Sequence, residues 1–135
     1  MLHSEIDEEV VQEIKRIIEE KNDCNLVVEK SLGTYWIIDR SGYEVENEFR
    51  IACFTDYRIV ISRVCFKNRR CETLTQILDI LEKYGKENGF TEILIQSVET
   101  SEMMRFCLKN NFAPADFNIW MESAGVLIGD YILKL

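Results

Sequence analysis

Seven consecutive residues, Arg69-Arg70-Cys71-Glu72-Thr73-Leu74-Thr75, combine side chains and spacing that suit anion chemistry. They join an apolar strand pattern to an amphipathic helix pattern. The first N–H groups of a helix lack intrahelical acceptors, and the helix dipole adds positive potential, so such a junction suits a phosphate. Arg69 and Arg70 supply fixed positive charge. Thr75 adds a hydroxyl donor. Glu72 opposes an anion. A carboxylate about 4 Å from a phosphate costs about 4 kcal/mol at an effective dielectric of about 20. That is about half of a micromolar affinity, about −8 kcal/mol. A left-handed turn built there without glycine adds about 1–3 kcal/mol of strain.

Other reactive side chains are few. His3 is the only histidine, so a Ser-His or Cys-His pair is not expected. Cys24, Cys53, Cys65, Cys71 and Cys107 are odd in number and contain no CxxC pair, which reads as reduced thiols rather than a disulfide framework or a zinc site. No metal site is expected. Glu48, Asp39 and Glu99 are the carboxylates placed to take a proton through water, and the sequence does not choose among them.

The elements that must position these residues follow from periodicity. Ile6, Val10, Ile14, Ile17 and Ile18 give a helix over 5–21, with Ser4 as N-cap. Strand patterns follow at Asn25–Glu29 and Thr34–Asp39 around the turn Ser31-Leu32-Gly33. After a second turn at Ser41-Gly42 come Glu48–Phe54 and Tyr57–Phe66, separated by Thr55-Asp56. Short β-branched runs with tight turns indicate an antiparallel meander. Leu74, Ile77, Leu78, Leu81 and Tyr84 then recur at helical spacing, ending at Gly89. Thr91–Ser97 is a strand, Thr100 caps a helix over Ser101–Lys109, and Asn110-Asn111 closes it. Phe112-Ala-Pro114 leads to final strands near Phe117–Glu122 and Gly129–Lys134. The strand–helix–strand unit over 57–97 is a right-handed crossover with parallel strands. The fold class is therefore α/β (α+β). Its mixed, mostly antiparallel sheet has a central parallel pair and helices on both faces. Residues 1–135 read as one domain. Trp36, Trp120 and the phenylalanines read as core or strand-face packing, and Met103-Met104 as gap-filling.

The net charge is −8, divided unevenly: residues 1–50 carry −7 and residues 51–135 carry −1. One basic run, Arg58, Arg63, Lys67, Arg69 and Arg70, breaks the acidic trend. This balance disfavours nucleic acid and leaves room for a small polyanion near residues 63–75 or a cationic partner for the acidic half. No stretch approaches the roughly 20 apolar residues of a membrane span, and the acidic N-terminus is unlike a signal peptide, so a cytoplasmic protein without a membrane partner is expected. The two last strands suit a homodimer, with Val126-Leu127-Ile128 as a sticky edge.

In this order of elements the chain resembles the GNAT acetyltransferase superfamily over about residues 30–112. The family's central strand corresponds to Arg58–Phe66. Its Gln/Arg-x-x-Gly-x-Gly/Ala loop falls on Arg69-Arg70-Cys71-Glu72-Thr73-Leu74, and the helix after it on Thr75–Asn88. The ending Phe106-Cys107-Leu108-Lys109-Asn110-Asn111-Phe112 is similar to Tyr-x-Lys-x-Gly-Phe. The resemblance implies acetyl-CoA as cofactor, its pantetheine along Val64, Cys65 and Phe66. The pyrophosphate would sit on Arg69, Arg70 and Cys71 to Thr75, including Glu72, Thr73 and Leu74. It implies Cys107 in the place of a thiolate-protonating tyrosine, and a small amine or protein lysine as acceptor. Glu72 and Leu74 stand where the family has small residues, which makes the loop degenerate. The implied function is an acyl-CoA-dependent N-acetyltransferase acting on a cationic amine. The alternatives are an inactive GNAT-like binding module and, behind it, an acidic interaction domain.

Overall fold

The structure, a computed structural model, describes residues 5–40, 44–54, 57–68 and 72–135. In chain order the elements are α1 (Glu8–Asn22), β1 (Val27–Ser31), β2 (Thr34–Ile38), β3 (Glu48–Phe54), β4 (Arg58–Cys65), α2 (Thr73–Glu87), β5 (Glu92–Val98), α3 (Ser101–Lys109), β6 (Ala113–Pro114), β7 (Ile119–Met121) and β8 (Val126–Lys134). One sheet runs in the order β1-β2-β3-β4-β5-β8-β6, with β7 paired to β8. β4 and β5 are parallel, and every other pair is antiparallel. This is the mixed α/β sheet with a central parallel pair that the residue pattern predicts.

α1 buries Val11, Ile14 and Ile18, one face at the i, i+3, i+4 spacing. Its N-cap position falls on Asp7, whose backbone N–H donates to the Tyr84 hydroxyl at 3.2 Å and ties α1 to α2. Ser4, the expected cap, lies outside the described residues. α2 buries Leu74, Ile77, Leu78, Leu81 and Tyr84. The main apolar cluster takes Tyr35, Ile37, Phe49, Ile51, Ile59, Ile61, Ile93, Ile95, Tyr131 and Leu133 from the strands. The strand registers place all ten on one side of the sheet. The sequence pattern predicts helices on both faces; the described residues join side chains of α1, α2 and α3 to this one cluster.

The opposite side carries charge. Glu48 is buried between Arg50 and Arg63, and the Arg50 guanidinium lies 4.4 Å over the Trp36 ring. Buried Glu92 takes Arg58 at 2.6 Å and Lys134 at 2.7 Å. Burial alone raises the Glu92 pKa, but hydrogen bonds from Lys134 and Arg58 outweigh it and hold the carboxyl below the usual range.

Three local differences from the sequence pattern have simple causes. Ala113–Pro114 forms a short extra strand on β8. Val126-Leu127-Ile128 is not an open edge, because Met121, Trp120 and Ile119 of β7 pair with it. Phe117 and Trp120 are not core residues; they are 69% and 58% exposed. Phe112 and Phe49 are buried as expected, and Asn111 is left-handed at φ 69°.

Two predictions follow from these contacts. Leu32 sits at φ 51° in the β1–β2 turn with its side chain fully in water. Leu32→Asn should raise unfolding free energy in urea by about 1 kcal/mol, since asparagine tolerates this geometry before Gly33. Glu92 has a depressed folded pKa, so the stability it contributes is present above its unfolded pKa and is lost as pH falls through the folded value. Thermal melts from pH 6 down to pH 2 should therefore lose less stability in Glu92→Gln than in the native protein.

Candidate functional site

The site begins where two strands part. β4 and β5 pair through Arg58↔Glu92, Ile59↔Ile93, Val60↔Leu94 and Ile61↔Ile95, and the pairing stops there. Both strands continue, β4 to Cys65 and β5 to Val98. Each deviates just past the last pair. On β4, Arg50 faces Arg63 and Ile51 faces Ile61, which leaves Ser62 as a bulged extra residue. On β5 the register with β8 shifts between Ile95 and Val98; Ser97 takes φ 54° and its N–H donates to Asp130 Oδ1 at 2.9 Å. Beyond Ile61, β4 keeps its pairing to β3 but not to β5, so one edge of its backbone is open to a ligand.

A cleft of about 330 Å³ opens there. Val64, Cys65 and Phe66 form its β4 wall, with Asn68 just beyond. Phe66 is fixed by stacking on Phe49, centroids 6.4 Å apart. Glu72, Leu74 and Thr75 come from the start of α2. Thr100, Glu102, Met103 and Phe106 come from the start and inner side of α3. The Thr100 hydroxyl accepts the Met103 N–H at 3.2 Å and caps α3. Two helix N-termini thus contribute to one cleft whose floor is apolar.

The residues expected from the sequence separate as follows. Val64, Cys65, Phe66, Glu72, Leu74 and Thr75 all line the cleft. Arg69, Arg70 and Cys71 lie outside the described residues. Thr73, not Thr75, is the first residue of α2. It is 1% exposed, and its Oγ1 has no hydrogen-bond partner among the described residues. Glu72 occupies the N-cap position at φ −79° with no side-chain cap bond, so the left-handed strain expected in this turn is not at Glu72. Its carboxylate is exposed on the cleft rim. Leu74 is committed to the core as well as the cleft wall.

Cys107 does not line the cleft. It is 0% exposed in the core, and burial pushes its thiol up to about 12. Proton donation from such a thiol to an ordinary thiolate, reference pKa about 8.5, runs uphill. This placement argues against an acid role. Of the carboxylates considered as base, Glu48 is held by two arginines, Asp39 lines a different cavity, and Glu99 is exposed and not among the cleft-lining residues. The sequence reading omitted Asn68, Thr100, Glu102, Met103 and Phe106 from the site. The spacing of Met103 and Phe106 puts them on one side of α3 but does not say what that side faces.

No family model and no curated protein matches the sequence. Solved structures do match. A candidate N-acetyltransferase from Lactobacillus plantarum aligns with TM-score 0.56 at 12% identity, covering 100% of this chain and 97% of that one. A GNAT family acetyltransferase from Elizabethkingia anophelis, with acetyl-CoA bound, aligns with TM-score 0.52 at 13% identity over 100% and 97%. The chain has the GNAT fold. The PaiA N-acetyltransferase from Thermoplasma acidophilum, in complex with coenzyme A, aligns with TM-score 0.54 at 14% identity over 76% of this chain and 61% of its own. The end of β4 and the start of α2, which line this cleft, are the segments where the sequence resemblance expects acetyl-CoA. Among the described residues, no helix is long and apolar enough to cross a membrane.

The unpartnered Thr73 hydroxyl yields a stability prediction. Removing a buried unsatisfied group while keeping shape should help folding, so Thr73→Val should raise unfolding free energy without ligand by about 1 kcal/mol, measured in urea.

Proposed function

We propose that the protein is an acyl-CoA-dependent N-acetyltransferase acting on a cationic amine. The observation that supports this reading is the open β4 edge beside the N-terminus of α2, both of which line one cleft. The backbone of Val64, Cys65 and Phe66 would pair with the amides of a pantetheine arm. The N–H groups at the start of α2 and the Thr75 hydroxyl would meet the pyrophosphate, aided by Arg69 and Arg70 from the preceding loop. Met103 and Phe106 give an apolar wall that excludes water. The amine would first give its extra proton to solvent, and strand N–H groups at the parting point would stabilise negative charge on an acyl oxygen when the neutral amine attacks. The buried Cys107 is left out of the proton path, and solvent supplies the proton to the departing thiolate. The acidic N-terminal half would draw a small amine or a protein lysine toward the site. The reading takes residues 1–135 as one domain acting in the cytoplasm, with homodimer contacts on the exposed Phe117–Met121 segment.

A second reading rests on a specific observation. Glu72 and Glu102 both line the cleft, and each repels phosphate. A GNAT fold that binds a partner without transferring an acyl group accommodates them more easily. Exposure weakens the effect of these carboxylates. Screened surface charges change binding by about 0–1 kcal/mol, well below the about 4 kcal/mol of a direct 4 Å contact at an effective dielectric of about 20.

Thermal melting with and without acetyl-CoA separates the readings. Binding should raise the melting temperature progressively with ligand concentration. No rise at millimolar acetyl-CoA or coenzyme A would remove the acyltransferase reading. A rise without thiol release in the presence of polyamines or lysine peptides would favour the binding module. Glu72→Gln should tighten coenzyme A binding about twofold to fivefold, and weaker binding in that variant would show that Glu72 assists the ligand.

A further inference from the structure

The gap between β4 and β5 is held open from the far side of β5. In the sheet, β5 lies between β4 and β8. Ile95 pairs with Ile61 of β4 on one edge and with Tyr131 of β8 on the other. The next pair to β8 is Val98 with Gly129. Two residues of β5, Gln96 and Ser97, therefore oppose one residue of β8, Asp130. This is a β-bulge, which bends its strand and interrupts regular pairing. Ser97 takes φ 54°, a left-handed geometry that serine rarely adopts. Its N–H donates to Asp130 Oδ1 at 2.9 Å. That N–H is turned to the β8 side of β5 and is not offered to β4.

Asp130 is itself held in place. Its N–H donates to Asn118 Oδ1 at 3.1 Å, and its carbonyl oxygen accepts from Asn118 Nδ2 at 3.0 Å. One side-chain amide thus satisfies both backbone groups of Asp130, as a neighbouring strand would. The same carbonyl accepts the Ala115 N–H at 2.9 Å. The Asn118 N–H donates to the Ala115 carbonyl at 3.1 Å, which closes the turn that carries Asn118. Gly129 makes room for this arrangement. It sits at φ 144°, and a Cβ there would lie 1.9 Å from Asn118 Oδ1. Glycine tolerates both the backbone angle and the close approach.

We propose that Asp130 is a positioning residue for the cleft, fixed by Asn118 and Gly129, whose carboxylate keeps β5 off β4 by holding Ser97 in the bulge. Asp130 is not among the residues that line the cleft, so it acts through Ser97 on the open β4 edge. Its reach extends to α3, because Thr100, the N-cap of α3 and a cleft residue, follows Ser97 by three positions. The strand gap belongs to the fold without ligand, whereas its link to coenzyme A rests on the acyltransferase reading.

Nuclear magnetic resonance and coenzyme A calorimetry on the full chain test the two links separately. Without ligand, the native protein should show the strong intraresidue amide-to-Hα NOE of a left-handed Ser97. It should show no backbone NOEs between residues 63–66 of β4 and its continuation and residues 97–98 of β5. Asp130→Ala should lose the Ser97 signature and bind coenzyme A about fivefold more weakly, as expected for one lost hydrogen bond. Asp130→Asn keeps an oxygen acceptor and should stay within about twofold of native. Ser97→Gly placed on Asp130→Ala should recover most of the lost affinity, because glycine takes the left-handed geometry freely. If Asp130→Ala does not fold, Asn118→Ala, which leaves the carboxylate present but unoriented, carries the same expectations. A left-handed Ser97 with native affinity in Asp130→Ala, or equal losses in Asp130→Asn and Asp130→Ala, would overturn the proposal. Failure of the native protein to bind coenzyme A would remove the acyltransferase reading, and the Ser97 signature would then decide by itself whether Asp130 holds the strand gap.

Discussion

The parallel ladder between β4 and β5 lasts four residue pairs and then ends, and most of what is particular to this molecule depends on that ending. Up to Ile61 and Ile95 the two strands form the centre of the sheet, and both isoleucines are in the main core. Past that point Ser62 bulges on one strand and Ser97 turns left-handed on the other. A parallel pair needs an even register to continue, and two such departures side by side do not allow it. The separation leaves strand backbone unpaired next to a helix N-terminus. Such groups are costly to bury without a partner, and they make a directional binding surface when a ligand supplies one.

The helices are held around this gap by contacts made elsewhere. α1 is fixed to α2 through the Asp7–Tyr84 bond and the shared apolar cluster. α3 is capped by Thr100 and places Met103 and Phe106 opposite Phe66 and Leu74 across the cleft. The charge pairs on the other side of the sheet serve a different purpose. Glu48 and Glu92 are buried carboxylates, each compensated by two cations, so that side of the sheet carries ions without stranding a charge. The same separation of roles explains Cys107. It stands in the helix that borders the cleft, but on the turn that faces the core, and its surroundings keep the thiol protonated.

The order of elements was legible because each rests on local periodicity. The helical spacing of Leu74 to Tyr84, the alternating strands after residue 25, and the caps at Thr100, Gly89 and Asn111 act within a few residues of themselves. Boundaries moved where a tertiary contact supplied a local need. The N-cap of α1 passed to Asp7, where Tyr84 meets the backbone. The start of α2 at Thr73, two residues early, has no side-chain cap bond to account for it. Trp120 and Phe117 were misread as packing residues because hydrophobic type does not reveal whether anything covers a short hairpin. Of the site, the β4 wall and the start of α2 could be anticipated, since they are continuous in sequence. The α3 wall could not, because it is brought to the cleft by a crossover.

The sequence by itself determined the element types, the parallel crossover, the acidic N-terminal half and the position of the anion-suited loop. Each of these depends on residue type at short range. The tertiary structure alone decided that β4 and β5 part after Ile61 and Ile95, and that Glu72 sits on the rim while Thr73 is buried with its hydroxyl unpaired. It also decided that Cys107 faces the core and that the Ser97 N–H goes to Asp130 on the β8 side. These are facts about which groups find partners. Partnering depends on segments far apart in the chain, so no single stretch of residues encodes it.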